Sequence, residues 1–140
     1  MLEVAEKRLK ESANLHLGDA SEMPYSDNQF DLIIISTVLH EMPLAVRAAV
    51  INECKRTLRK EGRILMIDFH PGPIQPLKGW LYKCIISVSE VAAGRQHHRN
   101  YRGFLENKGL PGLISFHGLS VDKEKVVSGG NIALFLLRRD

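Results

Sequence analysis

The chain has 140 residues, 44% apolar and 25% charged, the make-up of one globular domain. Its formal charge of +3 comes from 19 basic and 16 acidic residues, dispersed and with few aromatics among them, which argues against a nucleic-acid surface. Cys54 and Cys84 lack C-x-x-C spacing, so neither a zinc nor a redox motif is indicated, and both read as reduced, buried thiols of a cytoplasmic protein.

Residues 1–13 carry Leu2, Ala5 and Leu9 at helical spacing, with Glu3, Glu6, Lys7, Arg8 and Lys10 on the wet side. The N-terminus opens directly on this helical pattern, with no apolar h-region, so no signal peptide is expected. Leu15-His16-Leu17 reads as a first short strand, ending in Gly18-Asp19-Ala20. A loop through Met23-Pro24-Tyr25 and a Ser26-Asp27-Asn28 turn lead to the run Leu32-Ile33-Ile34-Ile35. That run is continuous and β-branched, the pattern of a strand buried on both faces, and it ends in Ser36-Thr37. In an open α/β sheet, ligands bind beyond the carboxyl ends of the strands, so Asp19 and Ser36 are expected on one rim.

Pro43 opens the next helix, with Val46, Val50, Ile51, Cys54 and Leu58 as its apolar stripe. Arg47, Glu53, Lys55, Arg56 and Arg59 are expected to face water, and Glu61-Gly62 to stop the helix. A third strand over 63–69 ends in Asp68-Phe69-His70. Strand, helix, strand is a right-handed βαβ unit with parallel strands. After Pro71-Gly72-Pro73, Leu81, Cys84, Ile85, Val88, Val91 and Ala92 share one helical face. This apolar segment, 80–93, is interrupted by Lys83 and Glu90 and is too short to span a bilayer. It reads as core packing, as the wall of an apolar pocket, or as a face resting on a membrane. Residues 95–101 are dense in His, Arg and Asn; a short helix over 101–107 and a helix or turn over 113–116 follow. Strands over 119–127 and 132–137 close the chain, joined by the turn Ser128-Gly129-Gly130-Asn131. The last is apolar on both faces and is expected inside the sheet.

Three groups of residues read as chemically competent. His40, just past a strand end beside Glu41, is a candidate base or a helix-entry histidine bonded to backbone. Asp68 and His70 face a reacting molecule or cap the Pro71-Gly72 turn. His97, His98, Tyr101 and Arg102 form a polar cluster that binds an anionic or phenolic molecule or is simply solvated. Adjacent histidines do not share a helix face, so no metal site is expected there.

The stretch from Leu17 to Pro43 resembles the middle of a class I S-adenosylmethionine-dependent methyltransferase of the broad group that includes the ubiquinone/menaquinone biosynthesis methyltransferases. The matching pieces are Gly18-Asp19-Ala20, Met23-Pro24-Tyr25, Phe30-Asp31 before the apolar run, Leu39-His40, and Glu53-x-x-Arg56-x-Leu58-Arg59-x-x-Gly62-Arg63. The terminal hairpin is similar to that family's antiparallel sixth and seventh strands. The resemblance implies a Rossmann-like α/β sheet, a single domain over 1–140, and S-adenosylmethionine as cofactor. It implies that Asp19 takes the adenine amino group, Ala20 offers its N–H to the ring, and Ser36 and Thr37 border the methionine part. His40 and Asp68 would act at the reacting atoms, and His70, His97, Tyr101 and Arg102 would meet a small-molecule methyl acceptor. The bland reading of Asp19 is an Asx turn.

The family's Gly-rich turn after its first strand, and the acidic residue ending its second, have no counterpart here. In the family's strand order, 3-2-1-4-5-7-6, the chain starts at the second helix, as an N-terminally truncated domain. Strands 1 and 2 would separate the 15–17 run from the 32–35 run. Without them the two runs pair directly, or a second copy covers the bare edge, or the protein is longer. A chain that keeps the fold but has lost the cofactor is the alternative to an enzyme. A nicotinamide-binding domain is a poorer reading, because no G-x-G-x-x-G follows a strand.

Overall fold

The computed structural model describes residues 2–139. Helix α1 (Leu2–Leu9) is followed by β1 (Phe30–Ser36), α2 (Leu44–Thr57), β2 (Leu58–Phe69), α3 (Lys78–Ala92), α4 (Arg95–Glu106), α5 (Gly109–Phe116), β3 (Leu119–Val127) and β4 (Ile132–Arg139). The strands form one sheet in the order β1-β2-β4-β3. β1 and β2 are parallel, and β4 is antiparallel to both β2 and β3. The βαβ unit, the closing hairpin and the interior position of the last strand therefore stand as the sequence predicts. The order is that of the resembled family's strands 4, 5, 7 and 6.

The core lies on one face of the sheet. Ile35, Ile64, Met66, Phe135 and Leu137 point into it from the strands. Val50 and Ile51 meet them from α2, Tyr101 and Phe104 from α4, and Leu110, Leu113 and Ile114 from α5. Burial of such side chains contributes about 1.5–3 kcal/mol each.

Several expectations are corrected. Leu15–Leu17 forms no strand, and Leu17 is 90% exposed. A three-residue run has no stability as a strand without a neighbour to bond its backbone, and direct pairing with β1 does not occur. β1 is not buried on both faces: Ile35 is buried, but Leu32 and Ile34 are 51% and 59% exposed on the opposite side. α2 ends at Thr57, not at Glu61-Gly62, which lie within β2. The cause is local. The carbonyls of Arg56 and Thr57 accept the N–H groups of Asn28 and Gln29, so the chain entering β1 takes the acceptors that would end the helix.

On α2 itself, Val46 is exposed while Arg47 is buried. Arg47 donates through Nε to the Leu39 carbonyl and through Nη2 to that of Met42, both at 2.8 Å, and its guanidinium lies 4.7 Å from the Phe104 ring centroid. Glu53 and Arg56 also depart from the water-facing reading. Glu53 Oε2 accepts the Met23 N–H, and Arg56 donates to the carbonyls of Met23 and Tyr25 and to Asp27. The Glu53-x-x-Arg56 spacing thus clamps the loop that follows Asp19 onto α2. The segment 95–101 is already helical, so α4 begins at Arg95 rather than at 101. Of the two thiols Cys54 is buried, whereas Cys84 is exposed.

The apolar face of α3 is not core: Leu81, Ile85, Val88 and Val91 are all more than half exposed. What α3 buries is Gly79 and Glu90. Gly79 sits against the hairpin turn, where a Cβ would fall 2.4 Å from the Gly129 carbonyl oxygen. Asn131 donates to the Gly79 carbonyl at 2.8 Å and fixes that contact. No described helix is long and apolar enough to cross a membrane.

Candidate active site

The carboxyl ends of β1 and β2 lie side by side, with Ser36 level with Ile67. Thr37 donates its N–H to the Ile67 carbonyl at 2.7 Å and adopts a positive φ of 51°, which turns the chain off the sheet. A single 3₁₀ turn, Leu39–Glu41, then lays His40 over the end of β2. Ser36 and Thr37 remain exposed on the rim.

Asp68, the penultimate residue of β2, is fully buried and acts only as acceptor there. Its Oδ1 accepts from His40 Nδ1 at 2.7 Å and from the Phe69 N–H at 2.8 Å. Its Oδ2 accepts from the Leu39 N–H at 2.9 Å and the His40 N–H at 3.4 Å. The carboxylate therefore holds both the 3₁₀ turn and the ring. With Nδ1–H on Asp68, the imidazole lone pair is at Nε2, the tautomer a proton acceptor needs. Asp68 thus does not cap the Pro71-Gly72 turn; His70 does, its Nδ1 accepting the Gly72 N–H at 3.2 Å.

His40 is 3% exposed. Phe69 and Tyr101 pack edge-on to it, with ring centroids at 4.5 and 6.2 Å. Its Nε2 looks toward Glu90 Oε1 at 3.7 Å and Glu41 Oε1 at 3.9 Å. His97 Nε2 in turn lies 2.6 Å from Glu90 Oε2. Burial, reinforced by Glu90, holds the Tyr101 phenol above its usual pKa. Burial also lowers the Arg47 pKa, against the pull of Asp68. A cavity of about 160 Å³ adjoins the rings, lined among others by Phe69, His70, Lys83, Tyr101 and Asn131.

His97 and Tyr101 face this cluster. Arg102 does not: it is exposed and pairs with Glu106 at 3.2 Å. His98 lines a separate groove with Arg95, Arg99 and Arg102. Asp19 is exposed, and its Oδ1 accepts the N–H and hydroxyl of Ser21 at 2.8 and 2.7 Å. These two bonds hold its pKa below the usual carboxylate value. The Asx turn is therefore real, and it leaves Oδ2 outside the turn. Asp19 and Ala20 line a hollow of about 220 Å³ with Leu17, Met23, Pro24 and Tyr25.

Sequence reasoning missed Glu90 and Arg47. Glu90 was visible only as an interruption, the lone acid in an apolar helical segment, and that isolation is the signal that could have flagged it. Arg47 sits one residue off the stripe and gave no sign of burial.

Residues 1–66 match the family model described as a methyltransferase domain. This stretch, just under half of the chain, is similar to the class I S-adenosylmethionine-dependent methyltransferase family. It is 34% identical over 82 residues to a demethylmenaquinone methyltransferase of Thermotoga maritima, a match spanning 59% of this chain and 34% of that protein. It is 26% identical over 148 aligned positions to a ubiquinone/menaquinone biosynthesis C-methyltransferase of a Ruegeria species, spanning 96% of this chain and 58% of the other. Among solved structures, a methyltransferase of Aquifex aeolicus superposes with a TM-score of 0.59 at 13% identity, over 99% of this chain and 61% of the other, and shows the shared fold. The chain thus spans between a third and three fifths of the length of these methyltransferases. The cofactor of the family is S-adenosylmethionine. The residues at the hollow fit its adenine end, because Asp19 Oδ2 is free of the Asx turn and apolar side chains stand beside it.

Proposed function

We propose that this chain carries out, alone or as part of a longer chain, methyl transfer from S-adenosylmethionine to a small molecule with a phenolic ring. The observation that carries the reading is the buried His40–Asp68 pair at the carboxyl ends of two parallel strands. Nothing in folding a βαβ unit requires an imidazole and a carboxylate there.

Bound S-adenosylmethionine supplies an electrophilic methyl group whose leaving group is a neutral thioether. Asp19 Oδ2 would accept from the adenine amino group, the Ala20 N–H would meet the ring, and Ser36 and Thr37 would border the methionine part. His40 takes the hydroxyl proton of the acceptor at Nε2, while Asp68 keeps Nδ1–H in place and stabilises the imidazolium. Loss of that proton makes the ring electron-rich and nucleophilic. His70 and Tyr101 border the cavity where the ring would rest. The names of the two relatives support a quinone-biosynthesis acceptor, methylated at carbon. The exposed edge of β1 favours a second reading, a fold without cofactor binding or one completed by a second copy.

Calorimetric titration with S-adenosylhomocysteine decides between them. Micromolar binding, weakened at least tenfold by Asp19→Ala, supports the enzyme. No binding by the folded 140-residue chain refutes catalysis by this chain alone.

A further inference from the structure

Glu90 is the one acidic side chain of α3. It is 7% exposed, in a helix whose Leu81, Ile85, Val88 and Val91 are all more than half exposed. An unpaired carboxylate is costly to bury, so its position calls for a positive partner. Among the described residues its Oε2 has no aligned hydrogen-bond partner. His97 Nε2 is only 2.6 Å away, yet its N–H is not aligned with that oxygen. His40 Nε2 approaches the other oxygen at 3.7 Å.

The three side chains come from three separate elements: the 3₁₀ turn after β1, the last turn of α3, and the first turn of α4. Each offers one ligand atom, and all three atoms lie within 4.8 Å of one another. We infer that His40, Glu90 and His97 form a binding site for a single first-row transition-metal ion, with Zn²⁺ as the best match.

The ligand set selects the ion. Two imidazoles and one carboxylate suit Zn²⁺, whereas Mg²⁺ and Ca²⁺ prefer oxygen alone. Zn²⁺ binds such ligands at about 2.0–2.2 Å and tetrahedrally, so its ligands stand roughly 3.3 Å apart. Because the three atoms already lie within 4.8 Å of one another, side-chain movements of up to about 1.5 Å bring them to that spacing. The outer shell is already built. Asp68 holds His40 Nδ1–H at 2.7 Å, which aims the Nε2 lone pair at the site and raises its basicity. Phe69 and Tyr101 wall the ring with apolar surface. Three protein ligands leave one coordination position open for water or an acceptor oxygen. The metal and a proton compete for His40 Nε2, so a filled site removes the base. That consequence rests on the proposed methyl transfer; metal binding does not.

The test is titration of the metal-free 140-residue chain with Zn²⁺ by calorimetry and with Co²⁺ by visible absorption. One ion per chain, with the intense bands of tetrahedral Co²⁺, is expected. Mg²⁺ is expected to give no heat. Glu90→Gln and His97→Ala should each weaken Zn²⁺ binding at least tenfold, while His117→Gln, at the end of α5, leaves it unchanged. Zn²⁺ should also raise the melting temperature of the unmodified chain. Absence of binding by the unmodified chain overturns the inference. So does an affinity in Glu90→Gln and His97→Ala unchanged from that of the unmodified chain, or a loss in His117→Gln as large as in either.

Discussion

Replacing Asp68 by Asn changes one atom in a site with no exposure, and its cost follows from the hydrogen bonds. Oδ1 serves His40 Nδ1–H and the Phe69 N–H; Oδ2 serves the N–H groups of Leu39 and His40. Whichever way the amide turns, its NH₂ confronts two donors that have lost their acceptor. A buried donor left unpaired costs about 1–3 kcal/mol. If the NH₂ faces His40, the imidazole can change tautomer and accept from it, which leaves only the Phe69 N–H orphaned but moves the ring proton to Nε2. The expected loss is about 1–3 kcal/mol, a fall in melting temperature of roughly 3–10 °C for a domain of this size. Urea unfolding of the two proteins measures it, as a lower midpoint at unchanged slope. In an active preparation the methyl-transfer rate falls at the same time, by roughly 100-fold or more, because Nε2 is no longer an acceptor. A stability change under about 0.5 kcal/mol would refute the hydrogen-bond argument, since no arrangement of Asn satisfies all of the donors.

The thiols and one carboxylate give two further tests. Burial pushes the Cys54 thiol up to about 11, so an alkylating reagent at about pH 8 should label only the exposed Cys84 in the native protein; Cys54 reacting as fast as Cys84 would contradict its place on the inner side of α2. The Arg56 guanidinium and the Met23 N–H hold Glu53 at about 2, below its ordinary 4.5. The folded value is depressed, so the stabilisation is complete above 4.5 and is lost as pH falls through about 2. Melting curves of the protein and of Glu53→Gln should therefore converge on acidification, and a gap that stays constant down to about pH 2 would show that the clamp does not depend on the ionised carboxylate.

The parts legible in the sequence were those written in local pattern. The run 32–35, the helix from Pro43, the strand to Asp68 and the terminal hairpin each carry their own periodicity or turn residues. The sheet follows from them by the handedness of a parallel crossover. His40 and Asp68 could be named because strand ends are where such folds keep their chemistry. Their mutual contact could not, since residues 28 apart meet only through the pairing of β1 with β2. The 15–17 run failed for a related reason: a strand exists only beside another. Glu90 and Arg47 were misread because their burial is decided by what packs over them, α4 in both cases. Leu81, Ile85 and Val88 were misread the other way, as a helical stripe with nothing laid against it.

α3 is held at its two ends and between them mainly through Ile86. Gly79 is locked to the hairpin turn by contact with Gly129 and by the Asn131 bond. Glu90 is committed to the two histidines. Between them Leu81, Ile85 and Val88 are more than half exposed, and Ile86 alone of the described apolar side chains there packs against the core. Such a segment can be rewritten one position at a time over evolutionary time. In a saturation-mutagenesis library it should accept most residues, while Gly79 and Glu90 accept almost none. Descendants of this sequence could therefore diverge in what that surface meets and still inherit an unaltered sheet and an unaltered His40–Asp68 pair.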